Sequence, residues 1–256
     1  MIKISAVSYT NTLPFIYGLT HTEIKNEINL CLDVPATCAK KLIDNEIDVG
    51  LIPVAAMFNM PQAQLISDYC IAANGKVNSV FIFSNCPIGD VKYLQLDAES
   101  KTSNMLALVL IKYYWKTHLK LETNSTNYAQ SSNANTAYVQ IGDRSFGQQN
   151  YVAYAYDLAE EWKKFTGLPF IFAVWASNKK ISENFIQKLN IAFKFGLDNR
   201  NYLIKDIKII PNFDIEDYLN HKINYNLNAL NLQGLELFKQ LCSTIILDLP
   251  FKENSK

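Results

Sequence analysis

The stretch "IDVGLIPVAAM", Ile47 to Met57, constrains the fold more than any other. The run Ile47 to Ile52, punctuated by Gly50, reads as a buried strand. Pro53 then starts a helix, because its fixed φ suits the first helical position and its missing N–H is not needed there. Ile2 to Val7, Ile28 to Val34 and Val80 to Phe83 are similar apolar runs. Between them, Leu13 to Leu19 reads as a short helix. A second helix opens at Pro35 and places Ala39, Leu42 and Ile43 on one face. Strands that are apolar almost throughout, with helices between them, predict a parallel sheet covered on both faces and an α/β fold class.

After Val80 to Phe83 comes the turn-rich connector Asn85-Cys86-Pro87-Ile88-Gly89-Asp90. A second alternating unit follows: strand Lys92 to Leu96, helix Ser103 to Trp115, strand Tyr138 to Ile141, helix Asp157 to Phe165 and strand Phe170 to Val174. Asp157 with Glu160 forms an acidic version of the capping box at that helix start. From Ser182 onward the pattern is helical. The Asn-rich stretch Thr123 to Thr136 has no periodicity and reads as a long loop, and Lys252 to Lys256 reads as a frayed end. A chain of 256 residues is long enough for two cores. The expected organisation is therefore two α/β lobes, 1–84 plus 176–256 and an inserted 85–175. The crossings fall near Phe83-Ser84 and Trp175-Ala176, with a ligand cleft between the lobes.

Several function classes are disfavoured. The 24 basic and 24 acidic residues cancel, so bulk charge draws the chain to neither nucleic acid nor an anionic membrane. No stretch approaches the ~18 apolar residues of a membrane span, and Met1-Ile2-Lys3-Ile4-Ser5 does not open a secretory leader, so a cytoplasmic location is expected. The cysteines Cys31, Cys38, Cys70, Cys86 and Cys242 are odd in number and lack CxxC spacing. They read as buried thiols, with no disulfide framework or zinc site. His21, His118 and His221 share no metal-binding spacing. No Walker loop, GxGxxG or GxSxG is present, so no nucleotide cofactor, metal or nucleophilic constellation is expected.

What remains is polar chemistry at strand ends, where open α/β sheets bind ligands. The first strand runs into Ser8-Tyr9-Thr10-Asn11-Thr12. Asn78 and Ser79 lie beside Val80. Asp97, Glu99, Ser100, Lys101, Thr102 and Ser103 open a helix, and Gly142, Asp143 and Arg144 follow "AYVQI". Hydroxyls, amides and helix N-termini suit carboxylates or phosphates, which points to a small, polar, anionic organic ligand. Each group also has a plainer reading: Ser100 to Ser103 as an N-cap, Gly142-Asp143 as a turn, and Thr10 and Thr12 as the start of a helix toward Leu19.

The motifs "VSYTNTLPFIYGL", "IDVGLIPVAAM", "GKVNSVFIFS", "LDAESKTSNMLALVLI", "QIGDRSF" and "YDLAEEWKKFTGLPFIFAVWA" occur in this order from Ile2 to Ala176. Together they resemble the chorismate dehydratases of the futalosine route to menaquinone, with a weaker echo from Tyr218 in "YLNHKINYNLNALNLQGLELF". The resemblance implies the two-lobed fold of type II periplasmic binding proteins, used in the cytoplasm as a cofactor-free hydro-lyase. It implies loss of water from chorismate to give 3-[(1-carboxyvinyl)oxy]benzoate, by removal of a ring proton beside the ether and the neighbouring hydroxyl. Carried onto this chain, Asn11, Ser79 and Asp143 are the catalytic candidates. Ser8, Tyr9, Asn78, Lys101, Thr102, Ser103 and Gly142 are the substrate-binding ones. The family usually has Arg where Lys101 stands, and Arg144 stands where a small residue is common. The base is either Asp143 or the substrate's own enolpyruvyl carboxylate, oriented by Asn11 and Ser79. The alternatives are a solute-binding protein for a small carboxylate, or the sister enzyme that makes 1,4-dihydroxy-6-naphthoate, whose "SPCPND"-like opening is absent here. Oligomeric state is not legible in the sequence.

Overall fold

The computed structural model describes residues 1–122 and 135–246. The expected loop is described only at its end, and the expected frayed terminus lies outside the described residues. In chain order the main elements are β1 Ile2–Val7, α1 Leu13–His21, β2 Ile28–Asp33, α2 Pro35–Ile43, β3 Val49–Pro53, α3 Val54–Met57, β4 Gln64–Ala73, β5 Val80–Ser84 and β6 Tyr93–Gln95. They continue with α4 Lys101–Val109, β7 Lys120–Glu122, β8 Thr136–Ile141, β9 Tyr154–Asp157, α5 Leu158–Thr166, β10 Phe170–Ser177, α6 Glu183–Asp198, α7 Arg200–Ile204, α8 Ile215–Asp217, β11 Asn224–Asn226 and α9 Ala229–Ile246.

Two sheets result. The first runs β11-β4-β10-β3-β1-β2 and the second β7-β6-β8-β5-β9. β1 pairs in parallel with both β2 and β3, as the apolar runs predict. The rest of the first sheet is not parallel: β10 returns antiparallel to β3 and β4, and β11 adds antiparallel to β4. The second sheet is also mixed, with β5 antiparallel to β8 and β9 while β6 runs parallel to β7 and β8. Sheet membership also moves the crossings. β5 belongs to the second sheet and all of β10 to the first, so the chain changes sheet over 74–79 and returns over 158–169, not at Phe83-Ser84 and Trp175-Ala176.

Packing explains the layers. Beneath the first sheet, Phe15 meets Trp175, Phe193 and Tyr225 in tilted or edge-to-face contacts at 4.7–5.8 Å between ring centroids. α1 and α6 approach so closely that a Cβ on Gly18 would stand 1.8 Å from the Ala192 carbonyl oxygen. Glycine is therefore the only residue that fits there. α9 lies against both β10 and α4, and its Phe238 packs on Trp162 of α5 and Phe170 of β10. This C-terminal helix thus touches both sheet systems. Aromatic clusters of this kind anchor cores through large buried area and favourable ring geometry.

Candidate functional site

Between the two sheets lies a cavity of about 580 Å³ of empty space, counted out to its open mouth. Its apolar wall includes Val7, Leu51, Ile71, Val80, Ile141, Phe172 and Ile223, and its polar wall Tyr9, Asn11, Thr12, Ser79, Ser100, Thr102 and Ser103. Most of these stand at strand or helix ends for a local reason. β1 ends where its apolar run meets five hydrogen-bonding residues. The turn Thr10–Thr12 that follows has no side-chain cap. The Thr12 hydroxyl donates instead to Asn11 Oδ1 at 3.2 Å, and the Thr10 hydroxyl to Asp143. Thr10 to Thr12 do lead into α1 as expected, with Thr12 at its N-cap position, but neither side chain caps the helix.

The opposite wall is the N-terminus of α4. Ser100 caps it: its Oγ accepts from the Ser103 N–H at 3.1 Å and donates to Ser103 Oγ at 2.9 Å. The Thr102 hydroxyl accepts from the Ala55 N–H at 3.2 Å, linking α4 to α3 across the sheets. Capping and cavity lining are thus both true of this segment, since a helix start turns its N–H groups and partial positive charge toward the space in front of it.

Gly142 closes the same space. It adopts φ +67°, its N–H donates to the Ser79 carbonyl at 2.9 Å, and the Tyr9 ring lies 3.0 Å from where a Cβ would be. The Tyr9 hydroxyl donates to Glu99 Oε2 at 2.5 Å. Burial, followed by Glu99, pushes that hydroxyl far above the ordinary tyrosine range, so it remains protonated. Arg144 Nη2 reaches Glu99 Oε2 at 3.2 Å and both oxygens of the fully buried Asp97 at 2.9 and 3.1 Å. Arg144 is therefore tied into a charge network at the rim.

Of the expected site residues, Tyr9, Asn11, Ser79, Thr102, Ser103 and Gly142 meet on the cavity wall. Ser8 is exposed and gives its N–H to the Asp33 carbonyl; Lys101 is exposed as well. Neither lines the cavity. Asn78 has φ +60° and donates its N–H to Asp157, lying behind Ser79. Asp143 gives its carboxylate to Thr10 and is not among the residues that line the cavity. Two residues not expected at the site stand directly behind it. The Tyr218 hydroxyl donates to Ser79 Oγ at 3.0 Å, and the Tyr225 hydroxyl to the Asn11 carbonyl at 3.0 Å. Both belong to the "YLNHKINYN" echo, the one signal in the sequence that reached them. Among the described residues no cluster of three or more His, Cys, Asp or Glu is arranged to hold a metal, and no helix is long and apolar enough to cross a membrane.

A family model described as menaquinone biosynthesis matches residues 2–244. Among solved structures, protein AF1704 from Archaeoglobus fulgidus superposes with a TM-score of 0.73 at 15% identity, covering 96% of this chain and 98% of that one. The periplasmic aliphatic sulphonate binding protein SsuA from Escherichia coli gives 0.66 at 14% identity, over 98% and 94%. The Candida albicans CA3427 gene product, which has the generic periplasmic binding protein fold, gives 0.64 at 11% identity, over 99% and 92%. At such identities the likeness is one of fold. It is the two-lobed periplasmic-binding-protein architecture, with the cavity between the lobes.

Proposed function

Because this chain belongs to the menaquinone biosynthesis family, we propose that its cavity dehydrates chorismate to 3-[(1-carboxyvinyl)oxy]benzoate. The observation that carries this reading is the chemistry of the wall. Its described polar groups are hydroxyls and one amide around a helix N-terminus, without a carboxylate, imidazole, amine or guanidinium. Such a wall suits a dianionic substrate, because neutral donors and a helix start stabilise carboxylates without a fixed counter-charge. Apolar neighbours such as Phe172 and Ile223 suit the ring.

The same inventory supports a substrate-assisted route. The enolpyruvyl carboxylate takes the ring proton beside the ether, and the electron pair moves into the ring toward the activating carboxylate. The neighbouring C–O bond then breaks, and the hydroxide leaves with that proton as water, so atoms and charge balance. Asn11 and Ser79 orient the two reacting groups. This assigns the enzyme to the carbon–oxygen lyases. Asp143, whose carboxylate holds Thr10, is the competing base.

Mixing the protein with chorismate and following ultraviolet absorbance tests the reading. The diene spectrum should give way to an aromatic one. An unchanged spectrum with saturable binding would establish instead the solute-binding reading, which the periplasmic-binding-protein fold favours.

A further inference from the structure

We infer that Tyr218 is a positioning residue for dehydration, one that aims the Ser79 hydroxyl hydrogen into the cavity; this rests on the dehydratase reading. A serine hydroxyl has one hydrogen and rotates freely unless a partner fixes it. At Ser79 the partner is the Tyr218 hydroxyl, which donates to Oγ at 3.0 Å. With a lone pair occupied from behind, the Ser79 hydrogen turns away from Tyr218. Ser79 is itself on the cavity wall.

Tyr218 is built to hold this role. Its ring is 1% exposed and packs edge-to-face on Phe146 at 5.1 Å and Phe213 at 5.2 Å. Phe146 follows β8 of the second sheet, while Tyr218 lies between α8 and β11. Burial raises the phenol far above the ordinary tyrosine range, so it stays a donor at any working pH. A few residues on, Tyr225 holds the Asn11 carbonyl at 3.0 Å, with its ring set against Phe15 and under the Arg200 guanidinium. One short segment near the C-terminus therefore anchors both residues proposed to orient the reacting groups. A buried tyrosine that merely satisfied its own hydroxyl would have no consequence for turnover beyond stability.

The test is a cycle of wild type, Y218F, S79A and the double variant, assayed on chorismate with melting temperatures alongside. Y218F should lower kcat about tenfold with KM nearly unchanged, the effect of one lost neutral hydrogen bond that matters only in the transition state. The double variant should be little slower than S79A, because the Tyr218 hydroxyl bears on turnover chiefly through Ser79, its side-chain hydrogen bond to Asn11 being the remaining route. Undiminished kcat in Y218F, or losses that multiply in the double variant, overturns the inference. If Y218F melts below the assay temperature, a ring-fluorinated tyrosine at 218 keeps the shape and strengthens the donor. A changed kcat at constant KM then supports the inference, and an unchanged kcat overturns it. Wild type that binds chorismate without converting it overturns the dehydratase reading and this inference together; an active wild type with an unimpaired Y218F overturns the inference alone.

Discussion

Asp143 accepts two donors from Thr10 at once: the backbone N–H lies 3.2 Å from each carboxylate oxygen, and the hydroxyl reaches Oδ2 at 2.8 Å. The link joins the second residue after β8 in the second sheet to the turn after β1 in the first, beside the cavity. Burial raises the carboxyl above the ordinary aspartate range, while the Thr10 donors pull it down. An amide at this position keeps one oxygen able to accept from Thr10. We therefore expect D143N to cost about 1 kcal/mol of stability, the scale of one hydrogen bond, and to keep turnover within about tenfold of wild type. Melting curves and chorismate turnover check this. Complete loss of turnover with substrate binding intact would make Asp143 the base and remove the substrate-assisted route.

Gly142 offers a second handle on the cavity. At φ +67° an alanine is strained, and its Cβ would sit 3.0 Å from the nearest Tyr9 ring carbon. The left-handed backbone alone costs roughly 1–2 kcal/mol for a residue with a Cβ. Displacement of Tyr9 then disturbs the wall. G142A should melt lower and raise KM more than it lowers kcat. Wild-type KM in a destabilised G142A would separate the glycine's backbone role from any role at the site.

Much of this was legible because the relevant signals are local. The apolar runs Ile2 to Val7 and Ile47 to Ile52 announce buried strands. The polar run from Ser8 to Thr12 marks a strand end, and Tyr9, Asn11 and Thr12 do line the cavity. β4 escaped because Ser67-Asp68-Tyr69 interrupts its apolar pattern, although Cys70 to Ala73 are buried in the sheet. The crossings were misplaced because an apolar run does not say which sheet it joins; only pairing does. The Ser79–Tyr218 bond spans 139 residues, and no periodicity within either segment encodes it. Aromatic residues in such segments read as core, which Tyr218 also is.

The charge network at the rim makes a prediction about Arg144. Asp97 is fully buried, and Arg144 Nη2 is its cationic partner, with 40% of the arginine side chain exposed. Removing one member of a buried pair strands the other charge, but solvent reaches this arginine and screens part of the loss. R144A should therefore destabilise the fold by about 1–3 kcal/mol in urea titrations. R144K should fall between, because it keeps the charge and loses the guanidinium geometry. An R144A variant as stable as wild type would show that the network contributes nothing.

Asp157 carries the clearest pH dependence. Its Oδ2 accepts from the Val77 and Asn78 N–H groups at 2.9 and 2.7 Å, and its Oδ1 from Ala159 and Glu160 at 3.1 Å each. One carboxylate thus caps α5 and pins the 74–79 crossing that leads into Ser79. Burial pushes its carboxyl up to about 6 from an ordinary 3.8, against the N–H donors from Asn78, Glu160 and Val77 that favour the ionised form. Between those values the native state keeps a proton that the unfolded chain has already lost, so stability falls as pH rises from about 4 to about 6 and is level above. The full change is about 3 kcal/mol at most. D157N removes the titration but sets an amide NH2 against backbone N–H donors, so it should be less stable throughout and lack this slope. Denaturation of both proteins across that range should therefore show the wild type's advantage shrinking as pH rises. Parallel curves would mean that Asp157 titrates alike in the folded and unfolded chains.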